Sequence, residues 1–421
     1  MNPQTLPKAA SLRAPRKFFE KLFFAALTPL KRGKMIIELP EGGTKILGGE
    51  PGPDAHIKIL NSDFYRRCVL YGDVGFGEAY VDGLWSTDDI FKVISWFLSN
   101  VENTPTLSGN SRKWMLANLM SVTNKLAHRL RDNSLTGSRK NISEHYDLSN
   151  DFFKLFLDST MTYSCAYFSD PAYDLEAAQT EKYHRLLKKL KVKPTDHILE
   201  IGTGWGTCSI QAAKNFGCKV TSITISRAQF NYATARVKEE GLENQITILF
   251  QDYRKMTGLF DKIISIEMVE AIGHAHFESY FAKCNELLKP DGLLGLQAIL
   301  CPDSRYDSFR KNVDWIQKHI FPGSLIPSFA RLNHAIRKTS DFYLYEFDDM
   351  GLFYVKTLQT WFDRFNARHA EVKALGFDER FIRKWNYYFQ YSKAGFGMKN
   401  LSVAQIIFTR PNNLTLMRGE K

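Results

Sequence analysis

Between positions 197 and 300 the sequence alternates short apolar runs with amphipathic stretches, and this alternation restricts the fold more than any other feature of the chain. Runs at 197–201, 219–225, 246–250, 261–266 and 292–300 have the length and apolar content of strands. Stretches at 208–216, 227–240 and 277–288 have helical spacing. Strand and helix in regular succession require crossover connections, which are right-handed and cover both faces of a parallel sheet. The expected fold is therefore α/β, a doubly wound Rossmann-like domain, with helical insertions at 315–338, 353–368 and 381–394 and a closing strand at 401–408. Ligands of such sheets bind beyond the C-terminal ends of the strands, so the residues that end these runs are the first candidates for chemistry.

The first of these ends reads Leu199-Glu200-Ile201-Gly202-Thr203-Gly204-Trp205-Gly206. Gly202, Gly204 and Gly206 permit a sharp turn and close approach to a ligand, and the following helix points its free N–H groups there. No Gly-Lys-Ser/Thr ending is present, which excludes a phosphate-cradling Walker loop, and the spacing differs from the Gly-x-Gly-x-x-Gly of dinucleotide folds. An acidic residue followed by Gly-x-Gly-x-Gly resembles motif I of class I S-adenosylmethionine-dependent methyltransferases; the plain alternative is a tight turn without a ligand. Three further ends should converge on the same crevice: Thr224-Ile225-Ser226, Gln251-Asp252-Tyr253 and Glu267-Met268-Val269-Glu270. Asp252 can accept from an adenine amine or cap the next helix. Glu267 and Glu270, at i and i+3, would share a face of a helical turn, where either could enter the pocket or be a solvated or ion-paired carboxylate.

At 421 residues the chain suits two domains. Segment 1–34 is basic and amphipathic, with Arg13, Arg16, Lys17, Lys21, Lys31, Arg32 and Lys34 among Phe18, Phe19, Leu22, Phe23, Phe24 and Leu27. That pattern fits a helix lying on a membrane interface or one packing its aromatic stripe on the same chain. Short runs broken by Gly and Pro over 35–99 suggest a small N-terminal α+β domain, 100–137 a linker, and 138–421 the catalytic domain. The net charge of +11 favours polyanionic partners, nucleic acid or anionic lipid. No apolar run approaches the ~20 residues of a membrane-spanning helix, and the N-terminus lacks the cleavage pattern of a secretory signal. The six cysteines form no Cys-x-x-Cys pair or metal-finger spacing, so the expectation is a reducing cytoplasm and no structural metal.

Residues 145–153 (His-Tyr-Asp-Leu-Ser-Asn-Asp-Phe-Phe) and 161–168 (Met-Thr-Tyr-Ser-Cys-Ala-Tyr-Phe) resemble the signature of cyclopropane-fatty-acyl-phospholipid synthases. So do the glycine loop, Ile223 to Gln229, Gln251 to Arg254, Ile320 to Gly323, and, nearer the two ends, Gly72 to Trp85 and Trp385 to Phe389. Glu267-Met268-Val269-Glu270-Ala271-Ile272-Gly273-His274 with Gln297 is similar to the plant-like branch. The resemblance implies transfer of a methylene from S-adenosylmethionine to the cis double bond of an unsaturated acyl chain in a membrane phospholipid, at the inner face of a membrane with which the protein associates peripherally. It implies cofactor contacts from Tyr163, Ser164, Glu200, Gly202, Gly204, Gly206, Thr224, Ser226, Gln229, Asp252 and Tyr253. It also implies bicarbonate as proton acceptor, held by Glu270, Tyr354 and backbone near Cys165, with Gln297 where better-known members carry His. Gln donates a hydrogen bond but does not titrate. Thr203 and Ser392 stand where the family frequently has Cys, and Ser392 could shift the product toward a methyl-branched or methylene-bearing chain. A C-methyltransferase and a non-catalytic lipid-binding homologue are the alternatives. Nucleic acid is not an expected partner, since no reader module is present, and a homodimer is left open.

Overall fold

A computed structural model describes residues 16–101 and 148–417. Most of the expected linker, the boundary at 138 and the His145-Tyr146-Asp147 triplet lie outside the described residues. The N-terminal part consists of helix Arg16–Leu27, strands β1 (Arg32–Glu38), β2 (Thr44–Gly48), β3 (Glu50–Ile59) and β4 (Trp85–Ser86), and helices Asp63–Val81 and Ile90–Ser99. The sheet order is β2-β1-β3-β4, with β1 parallel to β3 and the other pairs antiparallel. Gly72 is the one break inside helix Asp63–Val81, at φ +58°.

The aromatic stripe of the first helix is core. Phe19, Phe23, Phe24 and Leu27 are all buried, and the Phe23 ring packs edge-on against Phe64 at 5.1 Å and Tyr65 at 5.6 Å. Each such ring removed from water contributes roughly 1.5–3 kcal/mol, which gives the helix an apolar partner within its own chain. The membrane-interface reading of these side chains is thereby corrected; of the expected stripe, Phe18 is exposed and Leu22 half-buried. The expected boundary at 34 falls inside β1, so the described residues from 16 onward belong to the same domain as 35–99.

The second domain carries β5 (His197–Ile201), β6 (Lys219–Thr224), β7 (Ile246–Phe250), β8 (Phe260–Ile266), β9 (Leu288–Leu300), β10 (Tyr343–Asp349) and β11 (Ser402–Thr409). Their order is β10-β11-β9-β8-β5-β6-β7, with β5 to β9 parallel and β10 and β11 antiparallel at one edge. The switch point lies at β5, where the order reverses, and the glycine loop follows that strand. The doubly wound expectation therefore holds, with one strand, β10, unforeseen. Pro322, Gly323 and Pro327 split the expected helix over 315–338 into Trp315–His319 and Phe329–Thr339.

Helix Glu379–Gly397 joins the two domains. Arg383 donates to the carbonyls of Tyr80 (2.7 Å) and Trp85 (3.0 Å), Arg380 pairs with Asp82, and Glu78 accepts from Lys318 and His319. Among the described residues no helix is long and apolar enough to cross a membrane.

Candidate active site

Gly202, Gly204 and Gly206 all have positive φ, at +102°, +53° and +91°. A Cβ on Gly202 would meet Met268 at 3.3 Å and one on Gly206 would meet Ala233 at 3.1 Å, so the protein packs on itself at both positions. At Gly204 a Cβ would meet no protein atom within 4 Å, which leaves open space over the N-terminus of helix Thr207–Phe216. Glu200 lies beneath the loop. Its carboxylate accepts from Ser209 and, at 2.6 Å, from Ser222, whose Oγ lies 2.8 Å from the Thr203 hydroxyl. Burial raises the Glu200 carboxyl to about 7. Glu200 thus shapes the loop from below, and Thr203 is a member of the same network.

At the end of β6, Ser226 caps helix Arg227–Glu239 by accepting from Gln229 N, while Thr224 Oγ1 lies 3.0 Å from Gln229 Oε1. Asp252, after β7, caps its own turn and holds Arg254 through both oxygens, at 2.9 and 2.7 Å. These two ends follow on from the glycine loop: Gly202 and Thr203 N–H both donate to Ile223 O, and Gln251 N–H donates to Thr224 O. Tyr253 points elsewhere: the short turn that Asp252 caps carries its ring into the core, 5.3 Å from Tyr280.

The carboxylate that gathers the catalytic candidates is Glu267, not Glu270. Glu267 Oε1 accepts from the Cys165 backbone N–H at 2.9 Å and from Gln297 Nε2 at 2.9 Å, and Oε2 accepts from the Tyr354 hydroxyl at 2.7 Å. Its backbone sits at φ +47°, a conformation costly for a residue with a Cβ. Neighbouring strands fix the set: Gln405 on β11 donates to Gln297 Oε1 at 3.3 Å, which turns the Gln297 amine toward Glu267. Burial pushes the Glu267 carboxyl up, while its three donors and the nearby Lys182 favour the ionised form. Glu270 accepts from Ile299 N at 2.5 Å, and its second oxygen is buried without a hydrogen-bond partner. Burial, then the charge of Glu267, raises its carboxyl to about 8, and with one donor against the three on Glu267 it is the member of the pair less well built to hold a charge. The Cys165 thiol is pushed well up by burial and donates to Ala166 O, so it is the backbone N–H of this residue that meets Glu267.

The donors expected to hold bicarbonate do not fit it: the Cys165 N–H, the Gln297 amide and the Tyr354 hydroxyl are all engaged by Glu267. A further anion on those donors would stand about 4 Å from the Glu267 carboxylate, a repulsion of ~4 kcal/mol at an effective dielectric near 20.

Two partners of this site carry no sequence motif. Lys182 is fully buried in helix Leu175–Lys189 and donates to Ser164 Oγ at 2.6 Å, and burial lowers its ammonium to about 8. Gln405 is the other. Aromatic rings enclose the cluster: Tyr354 lies 4.5 Å from Phe396 and 6.0 Å from Trp361, and Tyr163 lies 5.2 Å from Trp361 with its hydroxyl donating to Tyr388 at 2.9 Å. Ser392 is half-buried on helix Glu379–Gly397.

Residues 133–406 match the family model described as mycolic acid cyclopropane synthetase. A tuberculostearic acid methyltransferase of Mycobacterium tuberculosis is 39% identical over 347 residues, covering 81% of this chain and 79% of that protein. The cyclopropane-fatty-acyl-phospholipid synthase of Escherichia coli strain K12 is 34% identical over 385 residues, covering 88% and 91%. Among solved structures, a mycolic acid cyclopropane synthase complexed with SAH and CTAB superposes with a TM-score of 0.60 at 28% identity, covering 65% of this chain and 98% of that one. With its glycine loop at the switch point and its buried carboxylate beside it, the chain belongs to the cyclopropane synthase and lipid methyltransferase family, within the S-adenosylmethionine-dependent methyltransferase superfamily.

Proposed function

We propose that this protein adds a one-carbon unit from S-adenosylmethionine to the cis double bond of an unsaturated acyl chain in a membrane phospholipid and closes it to a cyclopropane. The observation that carries this reading is a buried carboxylate, enclosed by aromatic side chains and built against the glycine loop through Met268. The residues fit the cofactor: Gly202 to Gly206 would seat it where a Cβ on Gly204 meets no protein atom, with Thr224, Ser226, Gln229 and Asp252 around its ribose and base. When bound, S-adenosylmethionine supplies an electrophilic methyl group.

An unactivated alkene is a weak nucleophile, so the chain's contribution is orientation and exclusion of water. Tyr354, Trp361 and Phe396 present faces and edges that tolerate a developing cation without bonding to it. The net charge of +11 supports work at an anionic membrane surface, on the inner face of a cytoplasmic membrane, with the N-terminal domain engaging lipid. A second reading, methyl transfer that leaves a branched or methylene-bearing chain, is favoured by the relative named for tuberculostearic acid methylation. Both readings pass through the same cation: ring closure follows direct loss of a proton from the new methyl, a methylene-bearing chain needs a 1,2-hydride shift before that loss, and a saturated methyl branch needs a hydride donor as co-reactant.

Purified protein incubated with methyl-labelled S-adenosylmethionine and vesicles of unsaturated phospholipid tests the proposal. Label should enter the acyl chain and give the upfield proton signals of a ring methylene. Vinylidene or methyl-branch signals would replace the first reading by the second. Cofactor binding without any label in lipid would overturn both in favour of a non-catalytic lipid-binding homologue.

A further inference from the structure

The three donors expected to hold an external anion, the Cys165 N–H, the Gln297 amine and the Tyr354 hydroxyl, all point at one side chain, while the Lys182 ammonium beside them donates to Ser164 Oγ. The Cys165 N–H and the Gln297 amine occupy both in-plane lone pairs of Glu267 Oε1, and the Tyr354 hydroxyl occupies one of Oε2. Among the described residues Oε2 accepts that one hydrogen bond alone, and its donor Tyr354 packs against the rings of Phe396 and Trp361. The backbone at Glu267 is held at φ +47°, and its N–H donates to Gln297 O at 2.7 Å, so a conformation natural to glycine is maintained by a residue with a long acidic side chain. Strain of this kind persists where the surrounding structure enforces it, as here by β9 and by the three donors.

From this geometry we infer that Glu267 is the proton acceptor of the reaction, an internal carboxylate standing where a bound bicarbonate would otherwise serve. The inference rests on the lipid cyclopropanation proposed above. Once the new carbon is attached, the acyl chain carries a cation next to it. One C–H bond of the new carbon breaks, its electron pair closes the third side of the ring, and the proton passes to Glu267 Oε2. Positive charge leaves the hydrocarbon as that proton, and the carboxylate becomes a neutral acid. The three donors hold the carboxylate before the transfer, and Tyr354 orients the accepting oxygen. Glu270, with one backbone donor and its own proton, keeps a second negative charge out of the cluster.

Two substitutions test this. Glu267→Gln keeps the shape and an acceptor for Cys165 and Gln297 but cannot take a proton; turnover should fall at least ~10²-fold, as for removal of a general base, while S-adenosylmethionine affinity by calorimetry is unchanged. Glu267→Gly suits the positive φ and should fold at least as well as the wild type, while opening the anion seat. In NMR samples with added [¹³C]bicarbonate the wild type should cause no exchange broadening, and in separate CO₂-free buffer it should turn over at its full rate. Glu267→Gly should be inactive there, broaden the bicarbonate signal, and recover at least tenfold on addition of bicarbonate or formate. Bicarbonate binding to the wild type, a wild-type rate that depends on bicarbonate, or an active Glu267→Gln would overturn the inference. A wild type that makes no modified lipid would instead sink the proposed function, and the NMR comparison reads the anion seat independently of turnover.

Discussion

Replacing Glu270 by Gln should make the protein more stable at pH 8 than the wild type and leave it nearly unchanged at pH 5. The folded carboxyl is raised from 4.5 to about 8, by burial first and by the Glu267 charge second. Below pH 4.5 both folded and unfolded chains hold the proton, and the residue adds no pH-dependent term. Above pH 4.5 the unfolded chain releases it while the folded chain retains it, so stability falls with rising pH until the folded group also ionises near pH 8. At 1.36 kcal/mol for each pKa unit, the loss stands at about 3 kcal/mol at pH 7 and about 4 kcal/mol at pH 8, and levels off at about 5 kcal/mol above that. Gln removes this dependence. It keeps an acceptor for Ile299 N and places an amide where the wild type has a protonated oxygen without a partner, so at pH 5 the two should lie within about 1 kcal/mol. Thermal unfolding of both proteins from pH 5 to pH 8 should give curves that diverge, the variant melting higher at the alkaline end. An infrared carbonyl band of a protonated carboxyl at pH 7, absent in the variant, is the independent check. Parallel curves, or a variant less stable at every pH, would refute the assignment of the proton to Glu270. Because Gln imitates the protonated state, turnover of this variant should stay well above that of Glu267→Gln.

The glycine loop offers a paired test. Ala at 204 or at 206 carries a cost of roughly 1–2 kcal/mol for positive φ, but at 206 the new Cβ strikes Ala233 and lowers the melting temperature further, whereas at 204 it enters the ligand seat and should cut S-adenosylmethionine affinity at least tenfold by calorimetry. Glu78 tests the domain junction. Burial raises its carboxyl, but hydrogen bonds from His319 and Lys318 outweigh that and bring it down to about 2, so it contributes up to about 3 kcal/mol above pH 4.5 that is lost as pH falls toward 2. Urea unfolding of Glu78→Gln should show a deficit at pH 7 that closes in acid. Lys182→Met keeps the buried volume and removes the cation facing Glu267; the acid limb of the pH–rate profile should move to higher pH while cofactor affinity holds.

The parallel sheet was legible because burial on both faces leaves its strands as continuous apolar runs, and because the glycines mark a turn where two of three positions are closed by neighbouring protein. Strand β10 was not. Tyr343, Leu344, Tyr345 and Phe347 are exposed, so the run Tyr-Leu-Tyr-Glu-Phe-Asp-Asp reads as neither a buried strand nor an alternating one. The amphipathic first helix has one periodicity compatible with two environments, a membrane surface and the face of helix Asp63–Val81. Only the tertiary structure supplies Phe64 and Tyr65 as the apolar partner.

The same limit explains the exchange of roles between the two carboxylates. Spacing of i and i+3 places Glu267 and Glu270 together only if the backbone through them is helical. The short turn begins at Val269, after Met268, and Glu267 precedes it in the left-handed region, so the two side chains leave in different directions: one to Cys165, Gln297 and Tyr354, the other to Ile299 N. A left-handed glutamate has no sequence signature, because its cost is offset by donors 30, 87 and 102 positions away, on elements that meet it only once β9, helix Gly351–Ala367 and the segment around Cys165 have assembled. Local sequence therefore marks where the buried carboxylates lie, and long-range hydrogen bonding decides which of the two neighbours is built to keep its charge.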